Sequence, residues 1–317
     1  MTQLYNRAVT LYVGDTAGNG LDLSEMQIKF DTRNGDFQTP NTCTIRVYNL
    51  SAATTQQLKA KEFTTVVLKA GYVGNFGIIF SGQIRYVYVG HETNIDSYID
   101  IVAADGDAAY NFSVINTSLA AGSTPAQQLA AISNATAPQG VTAAASQPPL
   151  PTTGLPRGKV MFVMAKDYMR ILADTVDATW SIDNGQIQLD LQTSYLPGEV
   201  IELNYNTGLV GFPEETLNGL IVRCLLNPYI FYGRIIKLNN DRINPAHLDI
   251  NINTQLQQGF LDQMANKDGL YKVFVVEHSG DTRGNSYFTK MICIGVNGTV
   301  PPNSNLAYKK EISPYGS

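Results

Sequence analysis

Arg85-Tyr86-Val87-Tyr88-Val89-Gly90-His91 lines up with Lys272-Val273-Phe274-Val275-Val276-Glu277-His278, and this pair decides how the rest of the chain is read. Both stretches are strand-like and apolar, and both stop at a His. After each His a polar loop intervenes, and Ser97-Tyr98 or Ser286-Tyr287 then opens another strand. Upstream, Ile45-Arg46-Val47-Tyr48-Asn49-Leu50 is echoed by Val222-Arg223-Cys224-Leu225-Leu226-Asn227. The alternative is coincidence, because short strand patterns recur by chance. A duplicated unit means that one chain offers two equivalent β-barrels. Three such chains would then present six, a quasi-sixfold ring.

Working outward, residues 1–112 read as strands. Met26, Ile28 and Phe30 share one face, as do Ile45 and Val47. Further strands are expected over 65–72, 77–90 and 98–103, with Gly or Asn at most junctions. Only 52–61 looks helical, entered through Ser51 as N-cap. Residues 113–196 form a small α/β unit. Thr124-Pro125-Ala126-Gln127 carries a capping-box pattern with Pro at the first helical position, opening a helix to about Ser133. Residues 135–158 read as an extended surface connection. A second helix over 166–176 places Tyr168, Ile171, Leu172 and Val176 on one stripe. Asp183-Asn184-Gly185 between two alternating runs is a strong hairpin signal. Residues 197–300 are strand-like again, with candidates at 220–225, 232–238, 248–252, 270–276 and 287–296. Residues 199–204 could close the first β part or open the second, and 301–317 reads as a tail.

Composition narrows the function classes. The 317 residues suffice for two or three domains, each with its own core. Hydrophobic residues make up 44%, which argues against disorder, while charged residues are only 15%. The net charge is −5 and no Lys/Arg run is longer than Lys309-Lys310, so phosphate-binding clusters and a polybasic membrane anchor are both missing. No signal-peptide pattern opens the chain, and no stretch is apolar enough to span a bilayer. Cys43, Cys224 and Cys293 are odd in number and sit in apolar runs, so buried free thiols in a reducing cytoplasm are expected.

Candidates for chemistry are sparse. Of the histidines His91, His247 and His278, none has the sequence context of a nucleophile and its base. His91 and His278 are expected to end strands and bond to turns. Asp105-Gly106-Asp107 lacks the further ligands of a calcium loop and reads as a turn. Glu277-His278 followed by Asp281 is a weak acid/base or metal pattern. Trp180 reads as the core anchor of the small unit. No catalytic residue, cofactor or metal site is therefore assigned, and the chain is read as a non-enzyme.

Several stretches carry a resemblance. Pro40-Asn41-Thr42-Cys43-Thr44-Ile45-Arg46-Val47-Tyr48-Asn49-Leu50-Ser51 resembles the N-T-x-x-I-x-[IV]-Y-N-L-S stretch in the first barrel of contractile-phage baseplate hub proteins. Gly208-Leu209-Val210-Gly211-Phe212-Pro213-Glu214, with Arg223, Asn227 and Pro228 downstream, resembles the start of their second barrel. Glu277-His278-Ser279-Gly280-Asp281-Thr282-Arg283-Gly284-Asn285 resembles a loop near their C-terminus. Pro156-Arg157-Gly158-Lys159 and Trp180-Ser181-Ile182 are similar to their small domain. The family-motif positions are thus Asn41, Arg46, Asn49, Gly211, Pro213, Arg223, Asn227, Pro228, Glu277, His278, Gly280, Asp281 and Arg283, all in structural roles.

The resemblance implies a mainly β chain with a small α/β domain, and two tail-tube-like β-barrels that join three chains into a torus. The implied domains are a first tube-like barrel at 1–112, the inserted α/β domain at 113–196, a second barrel at 197–300 and a tail. It also implies a homotrimer in the virion's tail baseplate, assembled in the host cytoplasm. The implied partners are the tail tube protein, the central spike protein and other baseplate proteins, with genomic DNA passing only transiently. An acidic lumen would hold DNA weakly, as passage requires. Two rivals are a tail-associated cell-wall-degrading enzyme, which needs converging carboxylates, and a carbohydrate-binding β-protein, which the seventeen Tyr would serve.

Overall fold

The computed structural model describes residues 5–15, 19–35, 39–60, 63–145, 147–191, 199–216, 219–239, 243 and 269–296. The expected strand over 248–252, His247 and the tail 301–317 lie outside them.

The N-terminal part holds β1 (Arg7–Gly14), β2 (Gly20–Asp22), β3 (Ile28–Gly35), β4 (Thr42–Tyr48), α1 (Ala52–Lys59), β5 (Thr65–Tyr72), β6 (Asn75–His91) and β7 (Ser97–Ala104). Their order across the sheet is β3-β4-β7-β6-β5-β1-β2. Period-two patterning sets the inner face: Ile28 and Phe30 on β3 and Cys43, Ile45 and Val47 on β4 are all buried. The Ser51 hydroxyl accepts from Thr54 N at 3.1 Å and starts α1, as its sequence requires.

The middle part holds α2 (Asp107–Phe112), β8 (Val114–Leu119), α3 (Pro125–Thr136), β9 (Thr142–Ala143), β10 (Lys159–Met164), α4 (Ala165–Thr175), β11 (Ala178–Asp183) and β12 (Gln186–Leu191). The side-chain amide oxygen of Gln127 accepts from Thr124 N at 2.9 Å and fixes the start of α3. Asn184 (φ 51°) and Gly185 (φ 76°) are both left-handed, the geometry that an Asn-Gly hairpin turn needs. Trp180 is buried among Ile132, Met169, Leu172 and Leu189, and it stacks on Tyr110.

Two expectations for this part are corrected. Residues 135–158 are not all extended surface, because β9 pairs in parallel with β12 and Val141 is buried. Ile171 is 47% exposed, because the inner stripe of α4 runs through Ala165, Tyr168, Met169, Leu172 and Ala173. The two-stranded ribbon β8–β10 and the short α2 carried no sequence signal strong enough to be expected.

The C-terminal part holds β13 (Ile201–Glu202), β14 (Glu214–Thr216), β15 (Gly219–Leu225), β16 (Ile235–Lys237), β17 (Leu270–Asp281) and β18 (Tyr287–Gly295). The order is β14-β15-β18-β17, with β16 on the far edge of β17 and β13 on β16. This repeats β3-β4-β7-β6-β5-β1 strand for strand. The final step differs, since β1 meets β5 antiparallel and β13 meets β16 parallel. The 199–204 question resolves here, as β13 pairs within the C-terminal part. The strand expected over 232–238 is shorter, with Tyr232 and Gly233 in a turn.

Cross-strand pairs give the true register of the repeat. Arg46 lies over the Tyr98 ring at 3.8 Å, and Arg223 lies over Phe288 at 3.9 Å. Each hairpin also carries a bulge at the same level. Arg85 is the extra residue between Ile84↔Ala103 and Tyr86↔Val102, and Phe274 is the extra residue between Val273↔Cys293 and Val275↔Ile292. Arg85 therefore corresponds to Phe274 rather than Lys272, Val89 to His278, His91 to Gly280, and Tyr98 to Phe288 rather than Tyr287. The Arg46/Arg223 correspondence stands; the match of one His to the other does not.

Among the described strands neither part closes into a barrel. Instead β3 of the first part pairs with β17 of the second, and a 13-stranded sheet runs through both. The small unit is tied to each. Asn41 Nδ2 donates to Ile182 O at 2.9 Å, and Gly185 N donates to Asp105 Oδ1 at 3.0 Å. On the other side Asp190 takes Lys272 Nζ at 2.5 Å and the Tyr232 hydroxyl at 2.6 Å, all buried.

Removing one member of a buried ion pair strands the other charge. Asp190→Ala should cost about 3–5 kcal/mol in chemical denaturation, whereas Asp190→Leu with Lys272→Met should recover most of that loss.

Candidate functional site

Five of the family-motif positions, Pro228, Glu277, His278, Gly280 and Asp281, lie where the two β parts meet. β17 runs antiparallel to β3 from Val275↔Gly35 to Asp281↔Lys29. Glu277 lies between Arg33 (3.5 Å) and Lys290 (3.6 Å), and Asp281 faces Lys29 at 3.9 Å. These ion pairs sit at the surface and contribute about 0–1 kcal/mol each.

Beneath them His278 is buried inside β17 rather than ending it, which corrects the expected turn role. Its N–H donates to Thr32 Oγ1 of β3 at 3.3 Å. Its ring Nδ1 lies 2.9 Å from Thr289 Oγ1, which accepts from Asn227 N at 3.0 Å. The Thr289 hydroxyl is thus placed to donate to a neutral imidazole. Burial lowers the His278 pKa to about 4. His91, by contrast, is exposed at the end of β6.

Tyr287 closes the joint. It belongs to β18, yet it packs in the first part's core together with Leu226. Its ring meets Phe30 and Tyr72 edge-on at 6.2 and 5.4 Å, and Arg7 covers it at 5.0 Å. Its hydroxyl accepts from Gly71 N and lies 2.9 Å from the carbonyls of Ala8 and Gly71. A Cβ at Gly280 would collide with the Phe30 and Tyr287 rings, so only glycine fits there. Pro228 is buried against Gly77 of β6, a second contact between the parts.

The remaining motif positions shape loops and the inner seam. Asn41 is buried, and its Oδ1 accepts from Gly35 N at 3.2 Å at the end of β3. Arg46 grips Asp100 through two bonds of 2.7 and 2.9 Å. Asn49, left-handed at φ 54°, bonds Ser97 N and Asp96. Gly211 is left-handed at φ 75°, Pro213 is buried, and Arg283 is exposed with its N–H on Asp281 Oδ1. Motif reading missed Tyr287, Thr289 and Thr32, because cross-strand partners carry no fixed spacing.

Asp105 turns before α2 as expected, but it is buried. Burial first, and then the charge of Asp183, raise its pKa to about 7. The three thiols are buried and free, and burial pushes Cys224 to about 12, so they remain protonated. Among the described residues no three His, Cys, Asp or Glu side chains group as metal ligands. Nor is any helix long and apolar enough to cross a membrane.

The depressed His278 pKa makes stability full above its unfolded value near 6.5 and progressively lost as pH falls toward 4, by about 3 kcal/mol. Asp105, raised, has the opposite sign: its contribution is present below about 3.8 and lost as pH rises through about 7. His278→Gln should therefore flatten the acid limb of a melting-temperature against pH curve, and Asp105→Asn should flatten the neutral limb. Tyr287→Phe leaves Gly71 N without its hydroxyl and should cost about 1–3 kcal/mol in denaturant titration.

No model of a known protein family matches the chain, and no curated protein matches it by sequence. Solved structures do match. A 43 kDa tail protein of prophage MuSo2 from Shewanella oneidensis has a TM-score of 0.57 at 7% identity, covering 92% of this chain and 97% of that one. A tail protein from Neisseria meningitidis MC58 has a TM-score of 0.55 at 10% identity, covering 94% and 99%. A chain of the Francisella PdpA-VgrG complex has a TM-score of 0.51 at 6% identity, covering 94% of this chain and 59% of that one. At these identities the likeness is one of fold, and nearly the whole chain takes part. The chain shares its fold with these two tail proteins.

Proposed function

We propose that this protein is the central hub of a contractile phage tail baseplate, a homotrimeric ring without catalytic chemistry. One observation carries the reading: a single chain presents the same strand order twice, joined edge to edge within a tail-protein fold. Three copies of a twofold-repeated chain make a quasi-sixfold ring, which can meet a sixfold tube on one face and a threefold spike on the other. In this reading residues 1–112 and 197–300 are the two tube-like units, which close into barrels only within the ring, 113–196 is the inserted domain, and 301–317 is a tail. The tube protein, the spike protein and other baseplate proteins are its partners. The acidic, weakly charged chain suits a lumen through which DNA passes without being held. In this reading Pro228, Glu277, His278, Gly280 and Asp281 serve the joint between units, and the other motif positions shape loops and strands within each unit rather than a reaction.

Native mass measurement of the purified chain should give a trimer, and electron microscopy should show a ring with a central opening. A stable monomer that clears peptidoglycan in a zymogram would overturn the proposal.

A further inference from the structure

The internal repeat leaves one joint unmade. β17 uses both edges: β18 lies along one, while β16 and then β3 share the other. β6, its counterpart, has β7 along one edge over Gln83↔Ala104 to His91↔Ser97, but β5 accompanies its other edge only as far as Gln83. Among the described residues no strand pairs with residues 85–91 on that side. The burial difference is large. Val275 is 6% exposed and its counterpart Tyr86 is 54%; His278 is 2% exposed and its counterpart Val89 is 39%. The tip continues the match, since Glu92-Thr93 stands where Asp281-Thr282 stands. Thr282 exchanges two hydrogen bonds of 3.0 Å with Ile28, while Ile95, beside Thr93, is 90% exposed. Apart from Arg85, which pairs with Asp107 at 3.2 Å, the edge over residues 86–91 carries no Lys, Arg or Pro, and such an edge is a surface built to be paired.

We infer that this edge of β6 takes β14 of a second copy of the same chain, antiparallel, with Val89 opposite Glu215. The occupant follows from the repeat. β3 covers β17 within one chain, and β14 holds the place of β3 in the C-terminal part, at the end of the strand order. The register follows from three observed pairs. His278 faces Thr32, Thr32 faces Cys43, and Glu215 faces Leu220, the counterpart of Cys43. The contact is head-to-tail, and such contacts close into rings when the rotation allows. Six joints would then alternate, three inside chains and three between them. The inference rests on the trimeric-ring reading above and names the surfaces that make it.

The test is oxidative cross-linking of Val89→Cys/Glu215→Cys in the full chain, where the native thiols are buried. The expected result is a reducible ladder ending at trimer, absent from either single variant and from a Val89→Cys/Glu202→Cys control. A trimer by native mass with no such cross-link would overturn the edge pairing and leave the ring reading standing. A monomer with no cross-link would overturn both, and equal cross-linking of the control would mark the contact as random collision and also overturn the pairing. Val89→Pro supplies an independent arm. The N–H of His278, the counterpart of Val89, points to β3, so proline here removes a donor on the open edge and spares the β7 ladder. That variant should keep its circular dichroism and melting temperature while losing the trimer. A folded Val89→Pro trimer would refute the pairing.

Discussion

The pairing of β3 with β17 is the constraint on which the rest of this molecule depends. A strand edge carries a row of backbone donors and acceptors that must find partners. Here each part of the chain satisfies the other's edge, and one sheet results instead of two. Once that ladder forms, Gly280 lies flat under Phe30, Tyr287 reaches the carbonyls of the first part, and His278 is sealed between Thr32 and Thr289. The aromatic contacts add roughly 0.5–1.5 kcal/mol per pair beyond their burial. The two parts consequently share one core region, and neither can keep Tyr287 buried alone.

The small α/β unit is held in place by polar ties. Asn41 and Asp105 reach it from the first part, and Lys272 and Tyr232 reach it from the second. Buried polar groups tolerate little displacement, because each lost partner leaves an uncompensated group behind. Two such ties from each β part set the unit's position relative to the sheet. In the proposed ring such rigidity would keep errors in one joint from accumulating around the circle.

Local signals were read well where one residue type dictates the backbone. Asn184-Gly185 could only turn, Ser51 and Thr124 could only cap, and Cys43, Ile45 and Val47 alternated as a half-buried strand must. The correspondence of Arg46 with Arg223 was legible because both strands lack irregularities. The correspondence of β6 with β17 was misjudged for a definite reason. Both hairpins carry a bulge at the same level, at Arg85 and Phe274, so the bulges cancel, and a slide of two residues keeps the same period-two pattern and leaves no mark in the sequence. Ile171 was assigned to the wrong face because it stands three residues from Tyr168 on the side away from Met169 and Leu172, about 100° around the helix from Leu172 and outside the buried stripe. The strand β13, two residues long, is too short for periodicity to register, and β10 hides its two faces because Val160 and Phe162 are apolar yet exposed.

By itself the amino-acid sequence determined the mainly β class, the helical interruption in the middle, the buried thiols and the presence of a repeated strand pattern. These follow from side-chain size, polarity and backbone preference, which act over a few residues at a time. Only the tertiary structure decided that the repeats meet through β3 and β17, that His278 is sealed and His91 exposed, and that Tyr287 of one part completes the core of the other. Those outcomes depend on which edge finds which, a choice between distant segments whose energies are nearly alike until the whole sheet is assembled.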